Sequence, residues 1–232
     1  MPGPGDFYDA LAPFYHLIFP DWEASIARQA AALDEVIRGE TGEDAERTVL
    51  DVACGIGTQA LGLAALGYRV TASDLSAGAV ARLRDEAARR GVGIDAKVAD
   101  MRDAWDAHGR TFGVVLCADN ALPHLLTDAE ILDALRGFHR CTAPGGICLV
   151  SIRDYEAVDL QTARMHPYGV REQGGVIAGL HAHRGNVGFH LGNLALHRGD
   201  IAIDGRKSLE GRERRPGEKN DGDERHAHLN LG

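Results

Sequence analysis

The stretch Asp51-Val-Ala-Cys-Gly-Ile-Gly-Thr58 constrains this chain more than any other. It follows Thr48-Val49-Leu50, a β-prone apolar run, and precedes Ala60-Leu61-Gly62-Leu63-Ala64-Ala65-Leu66, which reads as helix. A strand, a glycine turn and a helix in that order place a nucleotide-type ligand at the strand's carboxyl end. Gly55 and Gly57 stand where a ligand approaches the backbone without meeting a Cβ. The helix after them turns its free N–H groups toward the same point.

Strands and helices alternate around this turn from residue 21 to about 152. Asp21 caps a helix whose apolar positions Ile26, Ala30, Leu33, Val36 and Ile37 keep helical spacing. Gly39 to Arg47 reads as a polar connector. Strands are expected at 48–53, 69–73, 94–98, 112–117 and 147–152. Helices are expected at 57–66, from the Ser76 cap to Arg90, and from the capping box Thr127-Asp-Ala-Glu130 to about Arg140. Ala143-Pro-Gly-Gly146 reads as a turn. Near-continuous apolar strands imply a parallel sheet covered by helices on both faces, a Rossmann-like α/β fold with right-handed crossovers.

Three strand ends carry an acid: Asp51, Asp74 and Asp100. In a parallel sheet those ends share one rim, so the three are expected to converge. Asp74 lies 19 residues after Gly55, the offset of a carboxylate that accepts from ribose hydroxyls. Gly55-x-Gly57-x-x-Ala60 also satisfies a loose dinucleotide fingerprint. A pyrophosphate beside Asp51 is disfavoured, however, because like charges repel in a partly desolvated site. A cationic or zwitterionic nucleoside suits the acidic rim better.

The bulk numbers describe a globular domain: 232 residues, 44% hydrophobic and 25% charged. A net charge of −9 argues against general nucleic-acid binding. No run reaches the length of a membrane span, and the N-terminus lacks the pattern of a signal peptide. Cys54, Cys117, Cys141 and Cys148 have no CxxC spacing and read as reduced thiols of a cytoplasmic protein. A zinc site from His124, His139 and Cys141 is the minor alternative to no metal.

Asp51–Thr58, Asp74-Leu75 and Ala99-Asp100-Met101, with Ala143–Gly146 before strand five, together resemble the class I S-adenosylmethionine-dependent methyltransferases. The resemblance spans residues 7 to 170. It implies S-adenosyl-L-methionine as cofactor and a small-molecule methyl acceptor. Gly55 and Gly57 would flank the methionine moiety, Asp51 would anchor the loop and Asp74 would hold the ribose hydroxyls. Asp100 would accept from the adenine amino group and the Met101 N–H would meet the ring. Ala53, Leu75 and Ala118 complete the implied contacts. Asp119-Asn-Ala-Leu-Pro-His-Leu125 and Arg153-Asp-Tyr155 further resemble the glycine and sarcosine N-methyltransferase-like branch. By that resemblance Asn120 would orient an acceptor amine and Arg153 would grip a carboxylate. His124 is a candidate base, the alternative being packing in the turn. Tyr8, Phe14, Tyr15 and Trp22 form an aromatic segment expected to cover the ligand, with Tyr15 as the lid residue.

The chain is therefore divided into a lid segment (1–20), a cofactor-binding α/β domain (21–173), an atypical C-terminal segment (174–203) and a disordered tail (204–232). Twelve of the 29 glycines and six of the 11 histidines fall after residue 173. Short apolar pieces replace the family's last two strands, so an incomplete sheet edge is expected. The abrupt change is what an out-of-frame reading of the coding DNA would produce. The expected function is methyl transfer to a small molecule, an amine or amino acid. One alternative is a nucleoside-binding protein with impaired or no catalysis. The other is an NAD(P)-dependent oxidoreductase, for which no Tyr-x-x-x-Lys set is present.

Overall fold

The computed structural model describes residues 4–42 and 46–153, together with the backbone of strands at 165–173, 176–183 and 194–197. Helix α1 (Pro4–Leu11) and a 3-10 turn (Tyr15–Ile18) precede the long helix α2 (Trp22–Thr41). Strands β1 (Thr48–Asp51), β2 (Arg69–Asp74), β3 (Ile94–Val98), β4 (Phe112–Cys117) and β5 (Thr142–Val150) alternate with helices α3 (Thr58–Ala65), α4 (Ala77–Arg90), α5 (Ala104–His108) and α6 (Asp128–Cys141). The sheet order is β3-β2-β1-β4-β5, all parallel, which gives the expected Rossmann-like fold. A short strand β8 (Leu194–His197) joins antiparallel to β5. Strands β6 (Met165–Gln173) and β7 (Val176–His183) pair with each other in a separate two-stranded sheet.

Period-two alternation explains why both faces are covered. On one face, Val49, Val114, Leu116, Ile147 and Leu149 pack with Ile26 and Leu33 of α2, Leu61 of α3 and Leu83 of α4. On the other, Leu50, Val52, Val115, Cys117, Cys148 and Val150 pack with Ala134, Phe138 and Cys141 of α6. All four cysteines are free and buried, and burial pushes their thiols up. No group of three or more metal-ligating side chains gathers among the described residues. No helix among them is long and apolar enough to cross a membrane.

Several boundaries differ from the sequence reading. Helix α2 runs past the connector expected from Gly39, because Gly42, at φ 81°, caps it with an N–H bond to the Arg38 carbonyl. The Ala143–Gly146 turn lies inside β5 as a bulge, with pairing passing from Phe112↔Thr142 to Val114↔Ile147. Helix α1, the first 3-10 turn and α5 were not foreseen, being too short for a periodic signal. Trp22 is no lid residue: it is buried, and its Nε1 donates to Thr58 Oγ1 at 2.9 Å, fixing α2 on α3. Among the described residues, the outer edge of β5 pairs with the four-residue antiparallel strand β8. The 204–232 tail and the pair His226 and His228 lie outside the described residues, and so do Asp154 and Tyr155.

Gly113 shows how tightly the bulge is packed. A Cβ there would sit 2.3 Å from the Glu46 carbonyl oxygen, and one on Gly146 would sit 2.6 Å from the Gly113 oxygen. Gly39, in the α2 helix, has nothing within 4 Å of such an atom. Gly113→Ala should therefore lose about 1–3 kcal/mol by overpacking against backbone. Gly39→Ala should gain about 0.5–1 kcal/mol from helix propensity. Thermal unfolding of the two variants beside the wild type checks both signs.

Candidate functional site

The site is built where β1, β2 and β4 end side by side. After β1, Val52 N–H donates to Leu116 O and Cys54 N–H to Ser73 O, so the chain stays bonded to both neighbours as it leaves the sheet. Gly55 (φ 52°) and Gly57 (φ 96°) then turn it into α3. A Cβ on Gly57 would strike Leu83 Cδ1 at 2.2 Å, whereas one on Gly55 would meet nothing within 4 Å. Gly57 is therefore required by packing, and Gly55 borders open space over the turn. Gly55 N–H donates to Asp74 Oδ2 at 2.8 Å, and Asp74 Oδ1 accepts from Ser76 N–H at 2.9 Å.

The electrostatics are those of an anionic pocket. Burial raises Asp51 to about 7, only partly offset by the Ala53 N–H, with Asp74 and Asp119 adding to the rise. Asp51 Oδ2 is buried without a hydrogen-bond partner. Asp74 and Asp119 are both raised as well, each mainly by burial. The convergent acids are thus Asp51, Asp74 and Asp119. Asp100, expected as the third, is turned to a different partner. It caps the 3-10 turn Met101–Asp103 through Arg102 N–H, and its carboxylate is ion-paired with the Arg102 guanidinium at 2.6 Å. Arg102 holds Glu130 at 2.6 Å on its other side, and this pairing lowers Asp100. A charged cleft of about 480 Å³ opens beyond Arg102, lined by Trp105, Glu130, Asp133, Arg136 and Arg140, and none of the convergent acids borders it.

The N-terminal segment lies over the pocket. Asp9 Oδ1 accepts from Ser76 Oγ at 2.5 Å and Gly78 N–H at 2.8 Å, pinning α1 to the start of α4. Tyr8 and Tyr15 lie 6.4 Å apart between ring centres, and both phenols are raised by burial first and by Asp74 and Asp119 next. The Tyr8 hydroxyl lies 3.2 Å from His124 Nε2. Leu75 is exposed beside Asp74, under Gly5 of α1. Ala53 and Met101 are half-buried, and Ala118 is buried at the end of β4. Asn120 Oδ1 accepts from the Arg153 backbone N–H at 3.0 Å, linking the β4 and β5 ends. Arg153 is exposed, and its charge acts on Asp119.

The structure thus gathers Asp51, Gly55, Asp74, Tyr15, Asn120 and Arg153 around one rim, with His124 at its mouth, and sets Asp100 apart on Arg102. Sequence reasoning passed over three residues: Asp119, Asp9 and Arg102. Asp119 was legible, since it follows β4 as Asp51 and Asp74 close β1 and β2. Asp9 and Arg102 act through tertiary contacts that no local pattern carries.

A parallel sheet with a glycine turn and an acid at the end of β2 defines a nucleoside-binding protein of the Rossmann-like type. Residues 49–146 match the family model described as a methyltransferase domain. The chain is 32% identical over 145 residues to a dTDP-3-amino-3,6-dideoxy-alpha-D-glucopyranose N,N-dimethyltransferase of Streptomyces fradiae, covering 62% of this chain and 54% of that one. It is 27% identical to a glycine/sarcosine N-methyltransferase of Halorhodospira halochloris over 47% of this chain and 41% of the other. Among solved structures it resembles an amino pentose methyltransferase of Micromonospora echinaspora in its SAM-bound form. That likeness has a TM-score of 0.52 at 28% identity, over 65% of this chain and 60% of that one. The chain spans about half the length of the curated relatives it matches. Its residues 49–146 are thus similar to a methyltransferase domain, and its sheet is similar to that of an S-adenosylmethionine-bound methyltransferase.

Asp51 makes folding pH-dependent with a definite sign. Its folded pKa of about 7 exceeds the unfolded value of ~3.9. Between the two, the native state keeps a proton that the unfolded chain has lost, so stability falls as pH rises through that window. Asp51→Asn lacks this loss. Its stability relative to wild type should climb from pH 4 to pH 7 and level off above, by about 1–3 kcal/mol. Urea denaturation across that pH range measures the difference.

Proposed function

We propose that this protein transfers a methyl group from S-adenosyl-L-methionine to the nitrogen of a small-molecule amine. The observation that carries the reading is the buried Asp51 oxygen without a partner, next to the open space over Gly55. A buried anionic oxygen is costly unless a cation or donor meets it. A nucleoside that carries an ammonium group supplies one; a dinucleotide pyrophosphate brings a second anion instead. The residues present therefore fit the cofactor.

In this reading Asp51 and the Gly55–Gly57 turn hold the amino-acid end, and Asp74 accepts from the ribose hydroxyls while its N–H bonds keep it oriented. Asp100 accepts from the adenine amino group with Arg102 fixing its plane, and Met101, Leu75, Ala53 and Ala118 line the rest. The cofactor supplies a sulfonium methyl that is already activated. The protein's work is to align the acceptor and exclude water. Tyr8 and Tyr15, anchored through Asp9, close the pocket, and Asn120 ties the acceptor loop to the end of β5. Relatives whose names specify amino-sugar or glycine nitrogen support the amine. The four buried free thiols support a reducing, cytoplasmic setting.

Calorimetry tests the cofactor directly. S-adenosylmethionine and S-adenosylhomocysteine should bind and NAD should not; binding of NAD alone sinks the reading. Asp74→Ala should weaken both nucleosides at least about tenfold, the equivalent of losing charge-assisted hydrogen bonds. Because a cation beside Asp51 lowers its pKa from about 7, nucleoside binding at pH 6 to 7 should release a proton. Titrations in buffers of different ionisation enthalpy would count it. A screen of labelled-methyl transfer against amines, amino acids and their hydroxyl counterparts, with Asp74→Ala as control, identifies the acceptor.

A further inference from the structure

Asp119 has no part in the cofactor contacts assigned above, yet the fold brings it into the same pocket. It follows β4 at φ 56°, with Asn120 next at φ 64°, two consecutive non-glycine residues in left-handed backbone. Ser151 holds them there: Asp119 N–H donates to Ser151 Oγ at 2.9 Å, and Asn120 N–H donates to Ser151 O at 3.2 Å. The turn carries the Asp119 charge close enough to act on Asp51, Tyr8 and Tyr15. Asp74 and Asp100 have partners. Asp74 accepts N–H bonds from Gly55 and Ser76, and Asp100 is held by Arg102. The Asp119 carboxylate accepts no hydrogen bond from any described residue. Arg153 is the one opposing charge that acts on it, and no ion pair within 4.0 Å joins the two. A second orphan lies in the same cluster, the fully buried Asp51 Oδ2.

Two carboxylates with oxygens left unmet by the described residues call for two cationic groups. The amino-acid end of the cofactor offers one ammonium, and Asp51 beside the glycine turn is placed to take it. That leaves Asp119, held on Ser151 at the β5 end and acting on both tyrosines, for the second. We propose that Asp119 receives the acceptor nitrogen as an ammonium ion and takes its proton, so that the acceptor class is amines rather than alcohols or thiols. This rests on the methyl-transfer reading above. The proton passes from the ammonium nitrogen to a carboxylate oxygen of Asp119, leaving a neutral amine. The amine lone pair forms the new N–C bond as the C–S bond breaks with its electron pair remaining on sulfur. The product leaves as a methylated ammonium, and Asp119 returns its proton to solvent. An ammonium ion, with a pKa near ~10, is within reach of a carboxylate whose acidity burial has weakened; an alcohol is not.

Sinefungin tests the assignment without knowledge of the acceptor. It is an analogue of S-adenosylhomocysteine that carries an amino-substituted carbon in place of the sulfur, which puts an ammonium where methyl transfer occurs. Calorimetry should show wild type binding sinefungin at least about tenfold more tightly than S-adenosylhomocysteine, the worth of one charge-assisted hydrogen bond. Asp119→Asn should bring that ratio toward one while changing S-adenosylhomocysteine affinity less than about threefold. Asp119→Gly, which suits the φ of 56°, should do the same and guards against a folding defect in the first variant. A wild-type ratio near one, or a ratio unchanged in folded variants that still bind S-adenosylhomocysteine, overturns the inference alone. Failure of wild type to bind either nucleoside overturns the methyl-transfer reading, and the inference with it.

Discussion

The hydrogen bond from Gly55 N–H to Asp74 Oδ2, 2.8 Å long, is the contact on which the site depends. It spans from the glycine turn after β1 to the end of β2, so one carboxylate sets the shape of the pocket floor. The same carboxylate accepts from Ser76 N–H, and Ser76 in turn caps α4 through Ala79 N–H and donates to Asp9. Turn, strand end, helix start and N-terminal helix are thus joined in a single polar chain. The α1 helix is only eight residues long and has little helical stability of its own. It is ordered by this connection to α4, which is how Tyr8 comes to stand over the pocket.

That arrangement has a thermodynamic cost concentrated in three side chains. Asp51, Asp74 and Asp119 are all raised by burial, and only Asp74 has a set of N–H donors to hold its charge. A core built for stability alone would hold apolar residues at these positions. The left-handed pair Asp119 and Asn120 adds backbone strain, of order 1–3 kcal/mol each. Cost and strain fall together at the ends of β1, β2 and β4, while Val49, Leu50, Val114 and Val115 one turn of pleat below are fully buried and unstrained. The well-packed sheet beneath offsets the cost of a rim whose acids are only partly satisfied by the described residues.

What the sequence revealed follows the range of each interaction. Strands β3 and β4 read correctly to the residue because the alternation of Ile94, Ala96 and Val98 and the apolar run of β4 are bounded by Gly, Asp and Arg. The caps Asp21, Ser76 and Thr127 were legible because a cap bonds within three residues of itself. Asp100 shows the limit. Its place at the β3 end was right, but Arg102 two residues on, tied to Glu130 from α6, decides where the carboxylate points. Trp22 is a similar case: its aromatic neighbours suggested a lid, and a buried hydroxyl on Thr58, 36 residues away, drew it into the core. The Ala143–Gly146 bulge was hidden because a Pro-Gly-Gly run signals a turn whether or not it lies against a strand.

The rim is held together by bonds of two ranges. Gly55 and Asp74 are joined inside contiguous βα units, by bonds within residues 48–79. Asp119 and Asn120 at the end of β4 are held across the sheet, by Ser151 and the Arg153 backbone from the end of β5. Strand β5 is itself bulged at its start and, among the described residues, pairs on its outer edge with the four residues of β8. The glycine turn and the Asp119–Asn120 turn are therefore held by different strands, the first by the end of β2 and the second by the end of β5.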